Sequence, residues 1–325
     1  MLEADIEVQR RDFNVKVALA VAPGERLALF GPSGAGKTTV LESIAGLVPL
    51  RHGRVALAGR VLSQTSPPRQ AVPPWQRRVG LLRQDPALFP HLSVHRNLAY
   101  GAGRHASAEQ TMSLAAELGI GGLLGEPPSH LSGGQAHRVA LGRLLLARCE
   151  ALLLDEPYTG LDAGLRRTLA DLVATLVSQR AVPTVLVTHD LAEAQAFADR
   201  ITVLDQGRVL QDGPSGEVVR APATRRVAEL AGYRSFVPLP GEGSVAVHPE
   251  RVVQGAQPER GRVLTGQVRT CRPAGPGWEV ELLVDDVPVW CKVMDPLAGE
   301  AAVTVVDAPC FGPDGVAVPS ARSRA

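Results

Sequence analysis

The chain has 325 residues, of which 45% are hydrophobic and 21% charged, with a mean hydropathy of +0.05. At roughly 100–200 residues per domain this length favours about two domains, and the composition excludes a largely disordered chain. The 34 basic and 33 acidic residues give a net charge of +1, whereas nucleic-acid-binding domains usually carry a basic surface, so we expect no nucleic-acid partner.

The sequence carries no sign of membrane insertion or secretion. No apolar run approaches the roughly 20 residues that span a bilayer, and residues 1–11 lack the apolar core of a signal peptide. We therefore expect the chain to work in the cytosol. Its four cysteines lie far apart without C-x-x-C spacing, which disfavours a disulfide framework or a zinc site.

Up to about residue 204, short apolar strands alternate with helical periodicity, after one or two strands in Ile6–Val21. This alternation is typical of an α/β fold with a parallel sheet covered on both faces. A hairpin is predicted over Gly53–Leu62, and short helices between Val94 and Leu131. The other predicted strands are Arg26–Phe30, Val79–Leu82, Ala151–Leu154, Thr184–Val187 and Ile201–Leu204, and the other helices are Lys37–Gly46, Ala136–Ala147, Gly164–Gln179 and Leu191–Ala198.

The pattern changes near Tyr233, and helical periodicity is lost from Pro238 to about Ser320. Turns rich in Pro, Gly and Asp separate short apolar runs there, which indicates a small all-β domain. We predict a first domain at 1–232, a linker at 233–244 and the β domain at 245–318. Strands are expected at Val245–Val247, Arg262–Val268, Trp278–Val284, Val287–Val293 and Ala302–Val306.

The strand Arg26–Phe30 is followed by a segment that fits G-x-x-x-x-G-K-[ST] and opens a helix. Glycines let backbone N–H groups wrap phosphates, and the helix N-terminus adds the positive end of its dipole. Lys37 would reach the outer phosphates of a nucleotide, and the Thr38 hydroxyl would ligate Mg²⁺. The predicted phosphate loop comprises Gly31, Pro32, Ser33, Gly34, Ala35, Gly36, Lys37, Thr38 and Thr39.

A buried strand that ends in two acids is the second chemical signal. Asp155 and Glu156 directly follow Ala151–Leu154, and two carboxylates there cost desolvation energy unless something uses them. Asp155 suits the coordination shell of Mg²⁺. Glu156 suits the task of orienting or deprotonating an attacking water.

A second helix start lies shortly before that strand, at Ser132, Gly133, Gly134 and Gln135. Ser132 can cap the helix, and the glycines allow an anion to approach its N–H groups. With a phosphate loop, the signature LSGGQ and a strand ending in Asp-Glu in this order, residues 1–232 resemble the ATP-binding cassette (ABC) ATPases. The resemblance implies ATP and Mg²⁺ as cofactors, and a P-loop ATPase core with a helical subdomain at about 85–149.

The resemblance also implies roles for four single residues. Gln84 resembles the glutamine that contacts Mg²⁺ or the water and signals to the membrane partner. Asp162 resembles the aspartate that contacts the opposite subunit, and His189 resembles the switch histidine that touches the γ-phosphate. Phe13 is the nearest candidate for an aromatic that stacks on adenine, or else a core phenylalanine.

In this family the signature of one subunit covers the nucleotide held by another, so the resemblance implies a second copy of the chain as a partner. Residues 84–94 are similar to importer ATPases for sugars, sulfate, ferric ion, polyamines and molybdate. Such subunits sit at the cytoplasmic face of the membrane on an integral-membrane permease, which receives solute from an extracytoplasmic solute-binding protein. They also carry a C-terminal β domain of OB or Mop-like type.

Three stretches look most like molybdate importers: 59–62, 77–80 and 263–293. We therefore favour uptake of molybdate or tungstate, and keep sulfate, ferric ion, polyamine or sugar as alternatives. A soluble ABC ATPase without a transport role and an anion-binding protein remain rival classes. In the β domain, either a solvated surface stabilises a dimer, or an oxyanion binds at Thr265, Arg269, Thr270 and Lys292.

Overall fold

A computed structural model describes residues 1–10, 13–102, 107–239 and 243–318. The chain divides into two compact units, 1–215 and 216–325. Residues 216–232 therefore group with the second unit, and the bounds 1–232, 233–244 and 245–318 stay predictions about functional domains. The expected end of the β domain near Ser320 lies outside the described residues.

The described part of the first unit contains eleven strands and six α-helices, besides three short 3-10 helices. The strands are β1 (Leu2–Gln9), β2 (Asn14–Val21), β3 (Arg26–Phe30), β4 (His52–Leu57), β5 (Arg60–Gln64), β6 (Gln70–Ala71), β7 (Val79–Leu82), β8 (Ala151–Asp155), β9 (Thr184–Thr188), β10 (Arg200–Asp205) and β11 (Arg208–Pro214). The helices are α1 (Lys37–Ala45), α2 (Val94–Ala102), α3 (Ala108–Glu117), α4 (Gly133–Leu146), α5 (Ala163–Arg180) and α6 (Leu191–Phe197).

All eleven strands form one sheet in the order β6-β5-β4-β1-β2-β11-β10-β3-β9-β8-β7. The predicted parallel sheet is present as β10, β3, β9, β8 and β7, which run parallel to one another. The other half of the sheet is mostly antiparallel, because short turns can join only antiparallel neighbours. The α/β fold is confirmed. Helices α2, α3 and α4 lie in the segment between β7 and β8, where a helical subdomain was expected.

The second unit begins with two short helices, α7 (Ser215–Arg220) and α8 (Arg225–Leu230). Beyond them the described residues form only strands, which confirms the all-β region; its OB or Mop-like character stays a prediction. The strands are β12 (Ser235–Pro238), β13 (Ser244–Val247), β14 (Val252–Gln254), β15 (Arg262–Ala274), β16 (Gly277–Val284), β17 (Val287–Val293), β18 (Glu300–Val305), β19 (Cys310–Phe311) and β20 (Ala317–Val318).

These strands form a four-stranded sheet, β12-β13-β19-β20, and a five-stranded sheet, β14-β18-β15-β16-β17. Their inward side chains, among them Val245, Val280, Val289, Cys291 and Val303, form a core of their own. In neither unit do the described residues include a helix that is both long and apolar enough to cross a bilayer.

A buried arginine fixes the C-terminal end of the helix that follows the phosphate loop. Arg77 is 3% exposed, and its guanidinium donates to the carbonyl oxygens of Ile44 at 2.9 Å and Val72 at 2.8 Å. It also donates to the Ser63 hydroxyl at 2.8 Å. Burial lowers the pKa of Arg77, so these acceptors compensate a desolvated charge. The side chain ties α1 to the strand β7, which begins two residues later.

We expect Arg77→Ala to lower the free energy of unfolding by about 3 kcal/mol, because it leaves several buried carbonyl groups without a donor. The adjacent Arg78→Ala is the matched control: Arg78 is 68% exposed and pairs with Glu150 at 2.7 Å, and such surface pairs contribute roughly 0–1 kcal/mol. Urea unfolding followed by circular dichroism measures both. Equal losses for the two variants would contradict the assignment.

Candidate nucleotide-binding site

The predicted catalytic residues collect at one edge of the sheet. Phe30 pairs with Thr188, Asp155 with Val187 and Leu82 with Leu154 in the parallel ladders. The carboxyl ends of these strands therefore meet, as ligand sites in open α/β sheets require. The phosphate loop follows β3, the two acids close β8, His189 follows β9 and Gln84 follows β7.

The phosphate loop joins β3 to α1 in a conformation that needs glycine. Gly36 stands at the start of α1 with φ of 100°, and a Cβ there would lie 2.8 Å from Val15 Cγ2. A larger residue would be strained and would collide with β2. Among the described residues no side chain caps the start of α1, so its first N–H groups are available to an anion.

Lys37 is a buried cation that has only neutral acceptors. It is 6% exposed, and its Nζ donates to the carbonyl oxygens of Gly31 at 2.7 Å and Pro32 at 2.8 Å. Burial lowers the pKa of Lys37 more than the nearby charges of Glu156 and Asp155 raise it. An ammonium has three donors and is costly to bury without a counter-charge. The chemistry of this position therefore fits a phosphate.

Asp155 is the complementary case, a buried carboxylate at the end of β8. It is 4% exposed. Burial raises its pKa, and the charges of Glu156 and Glu42 add to the rise, while a hydrogen bond with Thr38 and the charge of Lys37 lower it. A carboxylate beside a hydroxyl offers the oxygen ligands that Mg²⁺ prefers.

The described residues contain no group of three or more His, Cys, Asp or Glu side chains that could hold a metal by themselves. This agrees with the usual mode of Mg²⁺ binding, in which one or two protein ligands are completed by waters and substrate phosphates. Thr38 and Asp155 fit the protein's share of such a site.

Glu156 is held in an uncommon conformation by its neighbours. Its φ is 48°, in the left-handed region, and its N–H donates to the Val187 carbonyl at 3.0 Å. His189 Nδ1 lies 2.9 Å from Glu156 Oε1, and the Thr159 hydroxyl lies 3.3 Å from Oε2. Non-glycine residues in this region cluster at functional sites. The arrangement holds a carboxylate in place and puts the imidazole beside it.

Glu193, which was not among the predicted site residues, supports the turn that carries His189. The Thr188 hydroxyl donates to the Glu193 carboxylate and accepts from the Asp190 N–H at 3.0 Å. Asp190 in turn caps α6 by accepting from the N–H groups of Ala192 and Glu193. The spacing Asp-x-x-Glu at a helix start is a capping signal that could have revealed this residue.

Two predicted residues lie at the site without a demonstrated role. Gln84 follows β7 and is exposed. Phe13 is half-buried and packs against the core. A Cβ added at Gly36 would lie 3.4 Å from its ring, and one at Gly207 would lie 2.8 Å from it. Phe13 therefore adjoins the phosphate loop, and its stacking on adenine stays a prediction.

The signature segment forms the helix start that its sequence predicts, three residues earlier than the expected Ala136. The Ser132 hydroxyl accepts from Gln135 N–H, and the Gln135 side chain accepts from Ser132 N–H at 2.8 Å, which completes a capping box. A Cβ at Gly134 would lie 3.5 Å from Leu161 Cδ2. Asp162, the next residue, caps α5 by accepting from Leu165 N–H at 3.0 Å.

The four residues considered for an oxyanion site in the β region do not form a cluster. Lys292 Nζ lies 2.7 Å from Glu250 Oε1, so its charge is already paired. Thr265 and Thr270 lie on the same strand, and a rise of about 3.3 Å per residue separates them by roughly 16 Å. Arg269 occupies the irregularity at which the pairing of β15 with β16 shifts register.

Comparison with known proteins agrees with this geometry. The sequence model of the family described as ABC transporter matches residues 15–159. An Fe(3+) ions import ATP-binding protein of Pseudomonas fluorescens is 39% identical over 256 residues, which cover 78% of this chain and 70% of that protein. The chain belongs to the ABC transporter ATP-binding proteins. The prediction of an ABC ATPase of the importer type is confirmed at this level.

Other relatives differ in the solute they are named for. A molybdenum import ATP-binding protein of Mycobacterium tuberculosis is 41% identical over 230 residues, covering 68% of this chain and 62% of that protein. A sulfate/thiosulfate import ATP-binding protein of Chromobacterium violaceum is 40% identical over 232 residues, which cover 70% of this chain and 62% of that protein. The chain thus spans less than two thirds of the length of both. A solved ATP binding subunit of an ABC transporter is 27% identical with a TM-score of 0.58, covering 71% of this chain and 94% of that one.

Asp155→Asn should change folding stability and metal binding in opposite directions. Because the pKa of Asp155 is raised in the folded chain, its ionisation costs stability as pH rises through the acid range, and that cost persists at neutral pH. We expect the Asn variant to unfold at higher urea concentration at pH 7, with the gain vanishing towards pH 3. It should weaken Mg²⁺-dependent ATP binding by about 10-fold or more.

Titration calorimetry with ATP, with Mg²⁺ or with EDTA, measures the second effect. Wild-type protein in EDTA is the control and should resemble the variant in Mg²⁺. A lower urea midpoint for the variant at pH 7, together with unchanged Mg²⁺ dependence, would contradict the role given to Asp155.

Proposed function

We propose that this chain hydrolyses ATP as the energising subunit of an importer whose solute is an oxyanion, molybdate or tungstate. The contact between His189 Nδ1 and Glu156 Oε1 carries the catalytic part of the proposal. In this contact a carboxylate and an imidazole lie together at the sheet edge where the phosphate loop begins. General-base chemistry needs such a carboxylate in a fixed orientation.

Each residue at the edge has a task in this reaction. The α1 N–H groups and Lys37 would bind the phosphates, and Thr38, Asp155 and Gln84 would hold Mg²⁺. The metal, when bound, supplies positive charge against the phosphate oxygens. Glu156 would accept a proton from the attacking water or orient it, and His189 would hold Glu156 and face the γ-phosphate.

The partners follow from what a single chain contains. One phosphate loop and one signature make an incomplete site if the signature acts in trans, so a second copy of the chain is part of the proposal. The segment from Asp85 to about His130 would dock a short helix of an integral-membrane permease: the exposed ring of Tyr100 lies against the Phe89 ring, with centroids 4.4 Å apart, and offers an apolar contact. The solute-binding protein would act through that permease, and the chain would then lie at the cytoplasmic face of the membrane.

Glu156→Gln tests the catalytic proposal. We expect it to bind Mg-ATP with about the wild-type affinity and to lose roughly 100-fold or more in turnover, because the amide cannot take up a proton. Size-exclusion chromatography should show an ATP-dependent dimer that persists. Lys37→Ala is the contrasting variant and should fail earlier, at nucleotide binding. Wild-type turnover in Glu156→Gln would refute the role of this carboxylate.

The identity of the transported solute is the more specific part of the proposal. The stretches 59–62, 77–80 and 263–293 support molybdate or tungstate, and the relative named for molybdenum import is as similar as those named for Fe(3+) and sulfate/thiosulfate import. Ferric ion and sulfate therefore remain the specific alternatives, ahead of polyamines and sugars.

Reconstitution with the permease and the solute-binding protein decides between these solutes. We expect molybdate or tungstate to raise the rate of ATP hydrolysis several-fold, because loaded binding protein favours the transport-competent arrangement. Sulfate and ferric citrate at equal concentration are the comparison, and Glu156→Gln gives the background rate. Stimulation by sulfate or iron, with none by either metal oxyanion, would overturn the proposed solute and leave ATP hydrolysis intact.

A further inference from the structure

The turn that follows Gln84 has a conformation that needs support. Ala87 has φ of 43°, in the left-handed region that alanine rarely occupies. The Asp85 carboxylate accepts from Ala87 N–H at 3.2 Å and closes a short turn. This turn is exposed at Gln84, Asp85 and Ala87, so burial of its own side chains does not hold it.

Arg143, which lies on α4, supplies the missing support. Both of its terminal nitrogens lie 3.1 Å from the Ala87 carbonyl oxygen, and one of them lies 3.1 Å from the Pro86 carbonyl oxygen. The guanidinium carbon also lies 5.2 Å from the centroid of the Phe89 ring. Charge-assisted and bidentate hydrogen bonds of this kind are stronger and more directional than neutral ones.

The position of Arg143 is itself fixed by close contact between two helices. A Cβ at Gly101, on α2, would lie 1.9 Å from the Arg143 carbonyl oxygen, so the backbones of α2 and α4 touch at this point. Any residue larger than glycine would push the helices apart. The Arg143 side chain therefore extends to the turn from a fixed backbone position.

Asn97, on α2, fixes the rest of the segment. It is 0% exposed, accepts from Phe89 N–H at 2.9 Å and donates to the carbonyl oxygens of Phe89 at 3.2 Å and Leu92 at 3.0 Å. Residues 86–93 are thus held by one side chain from each of two helices. Of these two side chains, only that of Arg143 reaches the turn that follows Gln84.

Helix α4 also begins at the signature, since Ser132 is its N-cap. Coupling between two sites can be carried by a rigid secondary element such as a helix. We propose that Arg143 is a positioning residue that ties the turn after Gln84 to the signature helix, so that Gln84 and the signature take up their catalytic positions together. The inference rests on the proposed ATP hydrolysis. Arg143 itself touches neither nucleotide nor metal in this scheme.

Steady-state kinetics of Arg143→Ala and Arg143→Lys test whether Arg143 connects the turn after Gln84 to the signature helix. We expect the KM for ATP to stay within about 2-fold, because the phosphate loop is carried by β3 and α1, while kcat falls about 10-fold in the Ala variant. Lysine should recover part of kcat, since it can reach one carbonyl but not form the fork. Hydrogen exchange should become faster for amides 85–92 and stay unchanged in α1.

Arg148→Ala is the matched control. Arg148 is exposed, and its side chain has no hydrogen bond or ion pair within the described ranges, so its kcat should equal that of the wild type. If Arg143→Ala fails to fold, Asp85→Ala loosens the same turn from its other side and should lower kcat without raising KM. Where Arg143→Ala folds, the double variant should lose less than the product of the single losses, because both changes act on one turn.

A wild-type kcat in Arg143→Ala with faster exchange at 85–92 would overturn the inference, as would a KM that rises in proportion to the loss of kcat. Multiplicative losses in the double variant would also contradict it. Absence of ATP hydrolysis by the wild-type protein and its reconstituted complex is a different result, because it would refute the proposed function itself.

Discussion

Two opposite charges are buried at the carboxyl edge of the parallel strands, and the rest of the site is arranged around them. Lys37 and Asp155 are 6% and 4% exposed, and burial lowers the pKa of the first and raises that of the second. Each carries a desolvation cost that the other only partly offsets. Nucleotide phosphate beside the lysine and Mg²⁺ beside the carboxylate would remove both costs, so ligand binding and folding stability are linked here.

The scaffold keeps this edge in place through arginines that bind backbone carbonyls. Arg77 holds the C-terminal end of α1, and α1 begins with Lys37 at its other end. Arg143 does the same for the turn after Gln84. Both use the planar fork of guanidinium to satisfy several acceptors at once, which a lysine cannot do. The chain has 34 basic residues, of which only Lys16, Lys37 and Lys292 are lysines.

The sequence could predict elements whose causes are local. The strands β8 and β9 are buried at every position, so a continuous apolar run marks them, and the motifs at Lys37 and Asp155 carry their chemistry in adjacent residues. Arg77 and Arg143 could not be predicted in this way, because their acceptors are carbonyl groups that every residue has. The pairing of Lys292 could not be predicted for a related reason: its partner Glu250 is 42 residues away. Long-range pairing decides such cases, and periodicity does not record it.

The similarity of the relatives also limits where solute choice can reside. Proteins named for Fe(3+), molybdenum and sulfate/thiosulfate import are each 39–41% identical to this chain. In the proposed function the phosphate loop, the Mg²⁺ carboxylate and the general base would act on ATP without contact with a transported solute, so their chemistry would be the same for every solute. Under the proposed function, selection would then occur where a solute is touched, in the permease, in its binding protein or in the second unit. In that unit Lys292 Nζ lies 2.7 Å from Glu250 Oε1, so an anion bound there would have to compete with this carboxylate for the amine.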